Sequence, residues 1–224
     1  MSVDSHAMGD FFASVGHENT YHKGHVICFQ GDRFESVWQV TSGIVKIYDI
    51  DRRGSERTIS FFAEPDTFPM MWLMAHPPPL HLYYYEALTD ATCRVAPMEA
   101  ARSYLRSHQE ALLSMMDALA QDHVNSMGRL QNMEKSHLVE RLEFVLYWLT
   151  RRIGTVEGQV ARIDALITQE DIARLAGVTR ESMSLAINKL GSNILWRENH
   201  STYIDLSKLP LSSMPTVYPH DFRG

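Results

Sequence analysis

Apolar residues follow two different periods along this chain, and the change falls near Pro97. Before it they alternate with polar residues in short runs, the period-two pattern of half-buried strands. Val26-Ile27-Cys28-Phe29 is bounded by Gly24 and by the turn Gln30-Gly31-Asp32. Val37-Trp38-Gln39-Val40 leads through Ser42-Gly43 into Ile44-Val45-Lys46-Ile47-Tyr48, and the turn at Asp51-Arg52-Arg53-Gly54 returns the chain through Arg57 to Phe62. Tyr83 to Leu88 and Ala91 to Val95 repeat the pattern. Many short strands with Gly/Asp turns between them predict an antiparallel barrel or jelly roll. The residues up to about Thr20 read as a short helical lead-in, with Phe11, Phe12 and Val15 on one side.

From Met98 the period becomes helical. A first helix is expected over Met98 to Arg106, and a long one from about Gln109 to Glu134. On the long one Leu113, Met116, Ala120, His123, Met127 and Leu130 recur at steps of three and four, flanked by Leu112, Leu119 and Met133. Such a stripe suits a coiled-coil-like seam between two copies of the chain. A helix packed on the barrel alone would give a similar stripe, and His123 within it reads as packing or as a pH-sensitive seam residue. Ser136 is then expected to cap a helix with Leu138, Leu142, Val145, Leu146, Leu149 and Ile153 inward, and Gly154 to Ile163 reads as a turn and a strand.

The stretch Thr168 to Leu206 carries the densest local signals. Thr168 has the chemistry of an N-cap, with Asp171 three residues on able to reach back. Ile172, Leu175 and Ala176 follow at helical spacing, and Gly177 admits a left-handed turn. Thr179 supplies a second cap, after which Met183, Ala186, Ile187 and Leu190 share one face. Two short capped helices about a Gly turn predict a helix-turn-helix, whose second helix enters the major groove of DNA. Its outward residues are Arg180, Glu181, Ser184, Leu185, Asn188 and Lys189. Arg180 suits a guanine edge and Glu181 a cytosine amine. Thr168, Thr179, Ser184, Asn188 and Lys189 complete the expected contact set, with Thr179, Ser184 and Lys189 suited to phosphate. Ile194-Leu195-Trp196, a polar run from Arg197 to Ser201, and Thr202 to Leu206 then form strand, turn and strand. That hairpin is a wing, with Arg197 and His200 placed for phosphate.

Composition narrows the classes. The chain has 224 residues, 45% of them apolar and 21% charged, ordinary values for a soluble globular protein. No apolar run approaches a membrane span, and the N-terminus lacks a basic region followed by an apolar one. A cytoplasmic protein with no membrane partner is therefore expected. Cys28 and Cys93 alone cannot supply an iron–sulfur cluster or a closed zinc site, and read as buried free thiols. The formal charge of −6 lies wholly in residues 1–136, which hold 11 basic and 17 acidic side chains. Residues 137–224 hold 10 of each, so the expected DNA-binding part is neutral. Nothing in the chain has the spacing of a nucleophile–base pair, a phosphate-cradling loop or a metal cluster, so no enzyme activity is expected. The domains expected are a barrel over 1–108, a dimerisation helix over 109–135, a winged helix over 136–209 and a tail over 210–224.

In that order, these parts resemble the Crp/Fnr superfamily of bacterial transcription regulators over roughly residues 20–207. The resemblance rests on Gly31-Asp32, Ser42-Gly43 with its apolar strand, Gly54 before Glu56, and the Thr168–Leu190 motif, where Thr179-Arg180-Glu181-Ser182 matches the family's (Ser/Thr)-Arg-Glu-(Thr/Ser). It implies a homodimer on double-stranded DNA, with Arg180 and Glu181 reading bases, and contact with RNA polymerase in an activator. Leu185 stands where the family often has an Arg. Cyclic-nucleotide-binding members also carry a Gly-Glu pair and, further on, an Arg beside a small hydroxyl residue. Here Pro69-Met70 replace the pair, and no Arg lies between Arg57 and Arg94. A phosphate there would lack its cation, so cyclic AMP is not expected as a ligand in the family's usual manner. Phe68, Met70, Met71, Trp72, Tyr83 and Tyr85 line the place instead. They suit an apolar or aromatic small molecule, or a barrel filled by its own side chains. Haem is a third reading, through His76 and His81 in the loop and His22 and His25 near the first strand. From another class, a barrel-based binding module whose C-terminal domain contacts protein remains open on the neutral charge of residues 137–224.

Overall fold

The structure is a computed structural model that describes residues 8–74, 80–191 and 193–209. The expected tail from Pro210, and His76 with the Pro77–Pro79 run, lie outside those residues. By the density of its contacts the chain divides in two, between Val124 and Asn125.

The N-terminal unit is built on two four-stranded antiparallel sheets. Strands β1 (His17–Tyr21), β3 (Ser36–Ser42), β6 (Thr67–Phe68) and β8 (Ala91–Pro97) form one, in the order β1-β8-β3-β6. Strands β2 (Val26–Cys28), β4 (Val45–Ile50), β5 (Glu56–Phe62) and β7 (Tyr84–Ala87) form the other, in the order β2-β7-β4-β5. Alternation decides which side chains lie between them. Trp38, Val40, Cys93 and Val95 from the first sheet meet Val45, Ile47, Tyr85 and Ala87 from the second, with Phe68 among them. Gly43 makes the crossing possible: at φ +80°, a Cβ there would stand 2.2 Å from the Asp90 carbonyl oxygen. Cys28 and Cys93 are buried and unbonded, and burial pushes the Cys93 thiol up to about 12.

Helix α1 (Gly9–Val15) is shorter than the expected lead-in, because His17–Tyr21 pairs with β8 along its length. Phe11 and Phe12 are buried, whereas Val15 is exposed. Helix α2 (Met98–Ser107) closes the unit beside them, with Met98, Ala101 and Leu105 in the same cluster. Helix α3 (Gln109–Met133) follows after a single residue. Its Ala111 and Met115 are buried in that cluster, with Leu112 and Leu119 packed at its edge. All six residues of the expected seam, Leu113, Met116, Ala120, His123, Met127 and Leu130, are exposed on the other face.

The C-terminal unit begins within α3 and continues with α4 (Leu138–Ile153), α5 (Gln169–Ala176) and α6 (Arg180–Leu190) around one core. Ser136 does not cap α4. The N-cap is His137, which offers no side-chain bond, and the turn is instead held by Arg141, whose Nε donates to the Lys135 carbonyl at 2.7 Å. Gly154 to Ile163 holds two strands rather than one, β9 (Thr155–Glu157) and β10 (Val160–Ile163). They join β11 (Leu195–Glu198) and β12 (Ser201–Asp205) in a sheet ordered β11-β12-β10-β9. Leu142, Leu146, Leu149, Ile163, Ile167 and Ile172 are all but fully buried in this unit, each contributing about 1.5–3 kcal/mol by leaving water.

One buried hydroxyl ties this sheet to the helices. Thr202 on β12 has no exposed surface; its Oγ1 donates to the Ala165 carbonyl (2.7 Å) and accepts from the Ile167 N–H (2.8 Å). Thr202→Val keeps the shape and strands both backbone groups. A loss of about 1–3 kcal/mol is expected, as a lower urea midpoint for the C-terminal unit.

Candidate functional site

Local chemistry places both helices of the motif. The Asp171 N–H donates to Thr168 Oγ1 (3.1 Å) while the Thr168 N–H donates to Asp171 Oδ2 (2.8 Å), the reciprocal box that satisfies two free donors of α5. Gly177 ends α5 in the left-handed conformation at φ +66°, and its N–H bonds back into the helix. Thr179 starts α6: its hydroxyl accepts from the Ser182 N–H at 3.2 Å and donates to Ser182 Oγ at 3.0 Å. The hydroxyls of Thr168 and Thr179 thus already serve the caps, although both residues are exposed. Met183, Ala186 and Ile187 are buried and set the rotation of α6 about its own axis.

That rotation turns Arg180, Glu181, Leu185, Asn188 and Lys189 to solvent, with Ser184 half-buried at the margin. Arg174 on α5 pairs with Glu170 at 3.2 Å and Arg162 on β10 with Asp164 at 3.0 Å. On α5, α6 and the β11–β12 hairpin, Arg180 and Lys189 are the cations with neither ion pair nor hydrogen bond among the described residues. Glu181 and Asn188 are equally uncommitted there. A face of unengaged donors and acceptors on a helix held by caps at its start is what reading base edges requires.

Arg197 behaves differently from the expected phosphate contact. Its Nε and Nη2 both donate to the Ile167 carbonyl, at 2.8 and 2.5 Å, and partial burial draws its pKa down. The side chain braces the hairpin against the residue preceding Thr168. Ser201 adds a third tie, donating to Asp164 Oδ1 at 3.1 Å. The hairpin tip is left to Asn199 and His200, both exposed and both at positive φ (48° and 65°), the backbone of a tight two-residue turn.

The barrel residues singled out from sequence fall into separate places. Phe68 is fully buried and stacks with Tyr85 (5.0 Å between centroids), Phe62 (5.2 Å) and Trp38 (5.6 Å), with Tyr83 at the edge of this cluster. Met70 and Trp72, on the short 3-10 helix Met70–Leu73, pack instead against the cluster of α1 and α2. Met71 is exposed. No spacing in the chain marks Arg102, which α2 carries into this region almost wholly buried. Its Nε donates to the Leu73 carbonyl (3.0 Å), its Nη2 to the Trp72 carbonyl (3.1 Å), and its Nη1 pairs with Glu99 (2.6 Å). The guanidinium thereby caps the carbonyl end of the short helix. Arg57 pairs with Asp49 on the β4–β5 hairpin, and Arg94 with Glu18.

Of the histidines, His22 and His25 are exposed. His81 is buried, its ring 3.7 Å from that of Phe34 and 5.5 Å from that of Tyr85. Its backbone is clamped to the Gly31–Asp32 turn by two bonds of 2.8 Å, and its Nδ1 has no hydrogen-bond partner. Burial lowers its pKa to about 4, against a smaller upward pull from Asp32. No group of His, Cys, Asp and Glu among the described residues is arranged to hold a metal ion.

A two-sheet barrel followed by a long helix and a winged helix defines a regulator that joins a sensor module to a helix-turn-helix module. Residues 18–108 match the cyclic nucleotide-binding domain, and residues 140–209 match the Crp-like helix-turn-helix domain. The chain belongs to the Crp/Fnr superfamily of transcription regulators. It is similar to the Global nitrogen regulator of Synechocystis sp., 25% identical over 76% of each chain. It is also similar to the nitrogen fixation regulation protein FixK of Rhizobium meliloti, at 28% identity over 84% of this chain and 82% of that one. The fold matches that of FixK2 from Bradyrhizobium japonicum, with a TM-score of 0.71 at 21% identity, covering 87% of this chain and 96% of the other. These are regulators and not enzymes. No helix among the described residues is long and apolar enough to cross a membrane.

The buried neutral imidazole of His81 makes the barrel acid-sensitive. The unfolded chain takes up this proton near pH 6.5 and the folded one only near 4, so stability falls as pH drops through that window. Melting temperatures measured from pH 7 to 4 should fall less steeply in His81→Phe than in the parent chain.

Proposed function

We propose that this regulator acts as a homodimer that reads an operator through two copies of α6, from the cytoplasm, with Arg180 and Glu181 on base edges and Lys189 and Asn188 on the flanking contacts. The observation that carries the reading is the uncommitted polar face of α6, set beside cations on α5 and the hairpin that are already engaged. The neutral balance of residues 137–224 fits this, because a few placed cations on each of two subunits take the place of a broad basic surface. Pairing is supported by α3, whose apolar stripe from Leu113 to Leu130 is exposed while the opposite side of its first turns, at Ala111 and Met115, is packed. Contact with RNA polymerase follows if the protein activates.

For the sensor, we infer that cyclic AMP is not held by the family's usual phosphate contacts. Pro69 and Met70 occupy the start of the short helix, and the guanidinium that reaches that helix, Arg102, is spent on two of its carbonyls and on Glu99. The stacked rings of Phe68, Tyr85, Phe62 and Trp38 favour an interior filled by the barrel's own side chains. An apolar or aromatic effector would have to part them. The described histidines give haem no matched pair of axial ligands, since His81 is buried while His22 and His25 are exposed.

Arg180→Ala should cost about 1–3 kcal/mol in binding the cognate operator by gel shift, while sedimentation still shows the dimer. Unchanged affinity would remove Arg180 from base reading. Millimolar cyclic AMP should leave the melting temperature of the full chain unmoved; a clear rise would restore the nucleotide site.

A further inference from the structure

Leu185 is 70% exposed, more than any other large apolar side chain among the described residues. An apolar side chain alone on a surface needs no explanation, so its position has to supply one. At about 100° per residue, the direction opposite the buried Met183, Ala186, Ile187 and half-buried Leu190 falls between Glu181 and Leu185. Leu185 therefore stands in the middle of the outward ridge. Glu181 lies one turn before it, and Asn188 and Lys189 one turn after. Its neighbours on that ridge, Glu181, Asn188 and Lys189, are polar and unengaged among the described residues, so a branched hydrocarbon stands among the groups that α6 turns outward.

Such a group offers nothing to phosphate or to a base donor or acceptor. In the major groove the apolar feature presented by a base pair is the 5-methyl group of thymine. We propose that Leu185 is a specificity-determining residue that packs on the 5-methyl of a thymine in each half-site, one helical turn beyond the base pair met by Glu181. This rests on the reading of α6 as the base-reading helix and adds the identity of one base. A groove of about 450 Å³ beside it, lined by Leu138, Val139, Leu185 and Ala186 together with His137, Glu140 and Lys189, offers Leu185 a second fate as part of a protein-docking surface. The ridge position favours the base, because the residues before and after Leu185 along it are polar.

The test begins with selection of duplexes from a random pool by the purified full-length chain. Each thymine of the enriched site is then replaced in turn by deoxyuridine, which removes the methyl and leaves the pairing edge intact. One thymine per half-site should respond, with affinity falling about fourfold for each methyl removed, the value of one buried methyl-sized group. Leu185→Ala should bind the methylated and unmethylated sites alike, and selection with Leu185→Arg should replace that thymine by another base. The substitution removes an exposed side chain, so circular dichroism should report an unchanged fold. If a site is enriched but deoxyuridine is neutral at every thymine, or weakens the parent chain and Leu185→Ala equally, the assignment of Leu185 fails while the operator-binding reading stands. If no duplex is enriched at all, the operator-binding reading fails first.

Discussion

Everything the C-terminal unit can do depends on how far α6 is rotated about its own axis. A helix with one buried stripe has one stable setting, because a slip of a single residue moves the stripe by about 100° and puts charge into the core. Met183, Ala186 and Ile187 fix that setting against α4 and α5. The same three residues therefore turn Arg180, Glu181 and Asn188 to solvent. Packing of these apolar side chains sets which face of α6 is turned outward. Thr179 then fixes where the helix begins, so the face is set along its length as well as around it.

The hairpin completes this by holding the segment before α5. Thr202, Ser201 and Arg197 each reach back to residues 164–167, two of them to backbone atoms. Side-chain bonds to backbone suit that task, since they hold a loop that has no ladder of its own. Arg197 shows how an exposed hairpin's cation can be structural. Its two donors on one carbonyl hold the hairpin root, and the exposed tip is left to Asn199 and His200.

Much of this was legible in the chain because the signals were local. Caps at Thr168 and Thr179, the left-handed Gly177 and the alternation of β3, β4 and β5 each depend on residues a few positions apart. What escaped depends on distant partners. His17–Tyr21 carries no alternation, being exposed almost throughout, and becomes a strand only because β8 lies beside it. Thr67–Phe68 is too short to show a period. The aromatic and Met-rich stretch reads as one lining, yet the turn into the short helix sends Phe68 to one cluster and Trp72 to another. Arg197 and Arg102 point to carbonyls thirty residues away, which no spacing rule anticipates. Ser136 has cap chemistry, but Arg141 secures that turn from the far side.

Arg102 has a mechanical consequence. Because it grips both the Trp72 and Leu73 carbonyls from α2, the short helix and α2 are bolted into one lever. The lever's far end runs through His108, whose backbone joins the last turn of α2 to the first of α3 by bonds of 3.0 and 3.1 Å. A molecule that pried Met70–Leu73 outward would not deform the barrel wall alone: it would drag α2 and tilt the base of α3 with it.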